Sequence, residues 1–220
     1  MDSLHILVEQ GKVLYLGISD SPAWVVAAAN TYAKQAHKTP FSVYQGQLNV
    51  MKRDMEQEIV PMARHFGMAI CPWDVAGGGR FKTKKIMEEK KKAGEGVRST
   101  FGTEQTNDEV QISEALEKVA QEHGGVSITA IAIAYVMQKT QYVVPLIGGR
   151  KVEHLMDNIK ALSIHLTDQQ IGYLESVVPS HVPFPVALIG NDPHETGMSM
   201  LMASTAQVAW QRNGKPIGHE

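Results

Sequence analysis

The apolar residues of this chain alternate between short continuous runs and stretches with helical spacing. Four runs are rich in β-branched and aromatic residues, which is typical of buried parallel strands: residues 12–19, 41–45, 68–73 and 142–147. Helical patterns follow them at about 22–36, 54–66 and 151–161, and a longer excursion with a nearly all-apolar helix over 127–139 precedes the fourth run. The pattern therefore predicts four successive β/α units.

Local signals mark where several helices begin and end. Pro61 falls inside the helical pattern after the second strand and should kink or restart that helix. Thr106 with Glu109, and Thr167 with Gln170, have the spacing of capping boxes. We therefore expect one helix to begin after Thr106 and a short one to run from Thr167 to about residue 176.

The β/α alternation predicts a parallel sheet with right-handed crossovers. From the residues alone two architectures remain open, a doubly wound open sheet or part of a (β/α)8 barrel. In both, ligands bind beyond the carboxyl ends of the strands. The candidate site residues are therefore Ser19, Asp20, Gln45 and the segments 73–80 and 148–150.

Two glycine-rich turns follow predicted strands and end in arginine. The sequence Gly148-Gly149-Arg150 directly precedes a predicted helix, and Gly77-Gly78-Gly79-Arg80 follows the third strand. Backbone N–H groups at a helix N-terminus beside a guanidinium suit a phosphate. The same residues equally suit a tight strand-to-helix turn with a surface arginine, so both interpretations stay open.

Trp73 stands at the end of the third predicted strand, between a proline and Asp74. A large aromatic there can pack in the core or stack against a flat heterocycle. Gln45, Ser19 and Asp20 can hydrogen-bond an amide such as a nicotinamide carboxamide, or tie down loops. The sequence alone does not decide between these roles.

Composition narrows the class of protein. The chain has 220 residues, 43% hydrophobic, which is enough for one ordinary domain or two small ones. Its net charge of -2 argues against nucleic-acid or polybasic membrane binding. The sequence has no apolar run of membrane-spanning length, no secretory leader and a single cysteine, so we expect a cytoplasmic protein. The nine histidines lack metal-site spacing, so no metal is expected.

Four longer segments are distinctive: GKVLYLGISDSPAWVV, FSVYQGQLNV, IVPMARHFGMAICPWDVAGGGRF and VVPLIGGRKVEHLMDNIKALSIHLTDQQI. They resemble the fungal aryl-alcohol dehydrogenases of the aldo-keto reductase superfamily and the related norsolorinic-acid-reductase-like enzymes of secondary metabolism. The resemblance covers residues 1 to about 192. It implies a (β/α)8 TIM barrel that binds NADP(H) without a Rossmann domain. It also implies reversible reduction of aromatic aldehydes or ketones to alcohols.

The resemblance assigns cofactor contacts to named residues. Ser19, Asp20 and Gln45 would hold the carboxamide, although the family often has Asn at the position of Asp20. Trp73 would stack on the nicotinamide. The segment from Asp74 to Arg80 would line the pyrophosphate, Gly148, Gly149 and Arg150 the 2′-phosphate, and Asp157 and Asn158 the adenine. The full expected set is Ser19, Asp20, Gln45, Trp73, Asp74, Gly77, Gly78, Arg80, Gly148, Gly149, Arg150, Asp157 and Asn158.

The catalytic Tyr, Lys, Asp and His of such enzymes come from the first half of the barrel, and this chain contains no counterpart to them. We therefore expect a truncated barrel, residues 1–178 with about the last four β/α units, followed by an irregular tail over 179–220. Unpaired strand edges should then cause dimerisation, pairing with a complementary half-barrel, or aggregation. The alternative function is a catalytically inactive NADP-binding or partner-binding remnant.

Overall fold

The computed structural model describes residues 1–92, 105–190, 192–196 and 210–216. Its elements, in chain order, follow the predicted alternation. The strands are β1 Leu16–Ser19, β2 Phe41–Gln47 and β3 Ala69–Trp73. The helices are α1 Asp2–Glu9, α2 Ala23–Gln35, α3 Ile59–Phe66, α4 Lys84–Lys92, α5 Asn107–Glu122, α6 Ile128–Met137, α7 Val152–Ile159, α8 Asp168–Val177, α9 Val186–Ile189 and α10 Pro193–Thr196, and 3-10 turns cover Asp54–Glu56, Gly77–Gly79 and Lys160–Ser163.

The three strands form one parallel sheet in the order β1-β2-β3. Ser19 pairs in register with Gln45, Gln45 with Cys71, and Gln47 with Trp73. The carboxyl ends of all three strands therefore meet at one edge of the sheet.

The predicted fourth strand, residues 142–147, does not form a regular strand. It is joined to β3 by a parallel bridge between Ile70 and Val143. The Val144 N–H donates to Ile70 O at 2.8 Å and the Leu146 N–H to Pro72 O at 2.8 Å. Pro145 has no N–H to donate. The backbone N–H groups of alternate residues face β3, and Pro145 lies between two that do, so its lack of an N–H costs no hydrogen bond to β3.

The local helix signals are confirmed. Helix α3 begins at Ile59, so Pro61 lies in its first turn, where it breaks no intrahelical hydrogen bond. Both capping boxes are present, Thr106 with Glu109 and Thr167 with Gln170. These short-range patterns fixed the starts of three helices.

The core lies between the sheet and its helices. Helix α6 is buried at nearly every position, as its apolar sequence predicts, and α5 packs against both α6 and α8. One polar residue, Asn30, is fully buried because it exchanges hydrogen bonds with the backbone N–H and C=O of Phe41. That pair ties α2 to the start of β2.

The two outer sides of the sheet expose large apolar side chains. Leu14 and Tyr15, before β1, are 80% and 78% exposed. On the opposite side, exposed apolar residues follow the 142–147 segment and α7: Tyr142, Val144, Leu146, Ile147, Val152, Leu155, Met156, Ile159 and Leu162.

The described part of the tail is less irregular than predicted, since it contains the short helices α9 and α10. Its contact with the body centres on Arg64, whose guanidinium lies 2.6 Å from both Asp192 and Glu195. Within the described residues, no helix combines the length and apolar character needed to cross a membrane.

Candidate functional site

Three predicted residues come together where β1 and β2 end. The Asp20 backbone N–H donates to Gln45 O at 3.0 Å. The Ser19 hydroxyl donates to Asp20 Oδ2 at 2.9 Å. Asp20 has a φ of +49°, a conformation that Asp and Asn adopt more readily than most residues. The turn after β1 therefore bends towards the end of β2.

Trp73 joins the same group from β3. Its indole Nε1–H donates to Asp20 Oδ1 at 3.0 Å, across the end of β2. The side chain is half-buried and lies at the rim, outside the buried core. Both oxygens of Asp20 therefore accept hydrogen bonds, and the indole ring is held in one orientation at the carboxyl edge.

Asp74 continues this edge with a left-handed backbone, φ +63°. Its Oδ2 accepts from Gln47 Nε2 at 2.7 Å and its backbone C=O from Asn49 Nδ2 at 3.1 Å. Its Oδ1 is buried and has no hydrogen-bond partner among the described residues.

Gln47 and Asn49 support the site and were not singled out from the sequence. Asn49 Oδ1 accepts from the backbone N–H groups of Met51 and Lys52. An Asn side chain commonly accepts from backbone N–H groups two or three residues later in a turn, so this contact can be predicted from the local sequence. The contacts of both side chains with Asp74 span at least 25 residues and carry no local signal.

The turn at Gly77–Arg80 uses its backbone donors internally. Gly77 N–H bonds to Asp74 O at 2.8 Å, Gly79 N–H to Ala76 O at 3.0 Å, and Arg80 N–H to Gly77 O at 3.0 Å. Gly77 has a φ of +60°, and a Cβ on it would lie 2.8 Å from the Phe81 ring. The glycine is therefore required by the turn and by packing.

Arg80 is buried, with 8% of its surface exposed. Its Nε lies 2.5 Å from Glu109 Oε1, and Glu109 is itself 3% exposed. The other oxygen of Glu109 accepts from the Thr106 N–H at 2.8 Å, which completes the capping box. The Gly77–Arg80 turn is thus anchored to the start of α5, and its expected role in lining a pyrophosphate stays a prediction.

The second glycine-rich turn, 148–150, is exposed throughout. Nothing lies within 4 Å of a Cβ built on Gly148, whereas one on Gly149 would meet His154 at 2.7 Å. Helix α7 begins just beyond, at Val152; its N-cap residue Lys151 makes no side-chain cap bond, and the Arg150 N–H donates to His154 Nδ1 at 3.3 Å. An uncapped helix N-terminus beside an exposed guanidinium is suited to an anion.

The two residues expected near adenine differ in burial. Asp157 is half-buried and its Oδ1 lies 3.4 Å from Lys160 Nζ. Asn158 is 8% exposed and lies on the buried side of α7. Little of Asn158 is therefore accessible to a ligand in this conformation, and its role stays a prediction.

The tyrosine nearest to the strand ends is Tyr44. Its hydroxyl donates to Ser21 O at 2.7 Å and accepts from the Ser21 N–H at 3.1 Å. Burial raises the pKa of Tyr44, the Ser21 hydrogen bond opposes this shift, and the charge of Asp20 adds to it. The hydroxyl therefore holds the turn after β1 and stays protonated.

A second polar cluster lies away from this edge, around a cavity of about 700 Å³ between α3, α8 and the tail. Lys139 Nζ is 2.5 Å from Glu175 and 3.3 Å from Glu56, and the Tyr135 hydroxyl donates to Glu175 at 2.8 Å. Burial alone would raise the pKa of Glu175, but Lys139 and Tyr135 outweigh it and lower that pKa. The bonds of Tyr135 and Lys139 to Glu175 tie the end of α6 to α8.

In the part of the chain that the structure describes, no three or more His, Cys, Asp or Glu side chains are grouped so as to hold a metal ion. The chemistry of the carboxyl edge is that of hydroxyl, amide, carboxylate and indole groups.

The alternation of strands and helices and the polar carboxyl edge are those of a parallel β/α fold. The chain belongs to the aldo/keto reductase family, whose sequence model matches residues 1–179. The family fold is a (β/α)8 barrel, and the three-stranded parallel sheet with its helices is consistent with part of one.

Several proteins similar in sequence to this chain come from fungi. The chain is 64% identical over 213 residues to a putative aryl-alcohol dehydrogenase, AAD10, of Saccharomyces cerevisiae, covering 96% of this chain and 74% of that protein. It is 51% identical over its whole length to the aldo-keto reductase ausK of Aspergillus calidoustus, covering 56% of that protein. It is 52% identical over 194 residues to an aryl-alcohol dehydrogenase [NADP(+)] of Phanerodontia chrysosporium, covering 87% of this chain and 50% of that protein. The chain thus spans between half and three quarters of these relatives.

Proposed function

We propose that this chain forms the NADP(H)-binding part of an oxidoreductase that interconverts aromatic aldehydes or ketones and the corresponding alcohols. One observation carries the proposal. Ser19, Asp20, Gln45 and Trp73, from three different strands, converge at the carboxyl edge with the indole held in a fixed orientation. That edge is where ligands bind in parallel β/α folds.

The described residues fit a nicotinamide nucleotide. The Gln45 amide and the Ser19 hydroxyl offer polar partners for a carboxamide, and Trp73 offers a flat apolar face. The open Gly148, the exposed Arg150 and the uncapped start of α7 suit the 2′-phosphate that distinguishes NADP from NAD. When bound, NADPH supplies the hydride that reduces a carbonyl carbon.

The proposed substrate class follows the names of the relatives. Two are called aryl-alcohol dehydrogenases, and one of these names includes NADP(+). We propose aromatic alcohols and carbonyl compounds for the protein to which this chain belongs. A role in fungal secondary metabolism rests on the sequence resemblance alone.

A second candidate function is NADP(H) binding without turnover by these residues. Carbonyl reduction builds negative charge on oxygen, and a positioned acid contributes about 10²–10⁴-fold to such reactions. All six tyrosines lie in the described residues, and the one nearest the edge, Tyr44, is committed to the Ser21 backbone. These contacts favour a proton donor from outside the described residues.

The exposed strand edges of the sheet indicate that the chain associates with another polypeptide. The edge of β1 and the outer edge of the 142–147 segment would each pair with a further parallel strand in an eight-stranded barrel. We propose that a second copy or a complementary half-barrel covers them. A monomer in size-exclusion chromatography that also unfolds in one cooperative transition would contradict this.

Fluorescence titration tests cofactor binding. NADPH should quench the emission of Trp73, so Trp73→Phe should remove most of the change. The matched variant Trp24→Phe, at a residue that is 72% exposed on α2, should retain it. No NADPH-dependent signal in the unmodified chain would reject the cofactor assignment.

NADPH absorbance with an aromatic aldehyde then separates the two candidates. Oxidation of NADPH by the chain alone at an ordinary enzymatic rate would reject binding without turnover. Binding without oxidation would support it.

A further inference from the structure

Asp20 is unusual among the site residues because it brings a charge to the ring expected to stack on the nicotinamide. It accepts from Trp73 Nε1 at 3.0 Å through Oδ1 and from the Ser19 hydroxyl at 2.9 Å through Oδ2. An acceptor at both oxygens is the pattern of an ionised carboxylate. The side chain is exposed, at the same edge as Gln45 and Trp73.

We propose that Asp20 biases this site towards the oxidised cofactor. The inference rests on the proposed function, namely that a nicotinamide nucleotide lies on Trp73. The nicotinamide ring carries a positive charge when oxidised and none when reduced. A fixed carboxylate hydrogen-bonded to the stacking indole therefore attracts the oxidised ring more strongly than the reduced one.

The geometry separates this charge effect from the positioning of Trp73. An Asn at position 20 would keep an oxygen to accept from the indole and would tolerate the φ of +49°. It would remove the charge and put an amide nitrogen in place of Oδ2, which could donate to the Ser19 hydroxyl oxygen instead of accepting from it. An Ala would remove the hydrogen bond as well and leave the indole free to rotate.

The expected size of the effect is modest because Asp20 is exposed to water. Two unit charges several ångströms apart near a protein surface interact strongly enough to change a binding ratio about threefold to tenfold. Asp20 thus acts on the balance between alcohol oxidation and carbonyl reduction, with no role in proton transfer.

Dissociation constants for NADP+ and NADPH, measured on the full chain by fluorescence or calorimetry, test this. In Asp20→Asn the ratio Kd(NADP+)/Kd(NADPH) should rise about threefold to tenfold. Asp20→Ala should weaken both nucleotides in addition. Asp168→Asn removes an exposed carboxylate at the start of α8 and should leave the ratio unchanged.

The outcomes distinguish the inference from the function on which it rests. An unchanged ratio in an Asp20→Asn variant that binds both nucleotides would overturn the charge effect and leave the cofactor assignment standing. Absence of binding by the unmodified chain would overturn both. A loss of the Asp20→Asn effect at 1 M salt, where charges are screened within about 3 Å, would support the inference further.

Discussion

The two glycine-rich turns of this protein have nearly the same sequence and opposite surroundings. In the Gly77–Arg80 turn, three backbone donors bond within the turn, and the guanidinium of Arg80 is buried against Glu109. In the 148–150 turn, the residues are exposed and the N-cap residue of the helix that follows makes no side-chain cap bond. Both turns follow a strand-like segment at the same end of the sheet.

The difference teaches that a glycine cluster followed by arginine does not by itself define an anion site. What differs is the surroundings of the guanidinium: Arg80 is buried in an ion pair with Glu109, whereas Arg150 is exposed and its backbone N–H donates to His154 Nδ1 at 3.3 Å. A turn with a buried, paired guanidinium stabilises the fold, and a turn with an exposed one can bind an anion. Variants at matched positions of the two turns should therefore separate stability from nucleotide affinity.

The largest expected effect is on stability, at the buried ion pair. Arg80→Ala would remove the guanidinium that pairs with the buried carboxylate of Glu109. Removing one partner of a buried ion pair typically lowers the unfolding free energy by about 3–5 kcal/mol. Urea or thermal unfolding should show a large loss of unfolding free energy.

A surface pair joins the same two parts of the chain and provides the control. Lys84 Nζ lies 2.6 Å from Glu114 Oε1, with side chains 72% and 52% exposed. Glu114→Ala should leave the unfolding midpoint nearly unchanged because water screens an exposed pair. Equal shifts for Arg80→Ala and Glu114→Ala would mean that the buried pair does not anchor the turn.

Glycine substitutions should give the next largest difference. Gly77→Ala forces a Cβ into a left-handed backbone and to 2.8 Å from the Phe81 ring, at an expected cost of about 2 kcal/mol or more. Gly148→Ala meets nothing within 4 Å, so stability should change by less than about 0.5 kcal/mol. The two variants can be compared by thermal unfolding, and a loss in Gly148→Ala as large as in Gly77→Ala would contradict the proposed contrast.

Much of the fold was readable because its signals are short-range. The β/α alternation predicted that Ser19, Gln45 and Trp73 end at one edge, and the sheet register brings them there. Pro61 and the capping box at Thr167 acted within one helical turn, as predicted. Helical periodicity and capping depend on residues within a few positions of one another, so they can be predicted without knowing which distant residues are in contact.

The remaining features depend on contacts that sequence spacing does not encode. Glu109 was recognised as a capping residue, but its pairing with Arg80 spans 29 residues. The hydrogen bond between Asp20 and Trp73 spans 53. The predicted strand at 142–147 is joined to β3 by one bridge and alternating backbone hydrogen bonds and does not form a regular strand.

The smallest expected effect on stability, and the most specific on binding, is at Arg150. Because its side chain is exposed, Arg150→Ala should leave the unfolding free energy within about 0.5 kcal/mol. Loss of a charge-assisted contact to the 2′-phosphate should weaken NADPH about tenfold, whereas NADH, which lacks that phosphate, should be little affected. Lys12→Ala removes an exposed cation before β1, at the opposite end of the sheet, and controls for net charge. Equal losses for NADPH and NADH in Arg150→Ala would assign Arg150 to a contact that both nucleotides share, and the open turn would then not select the phosphate.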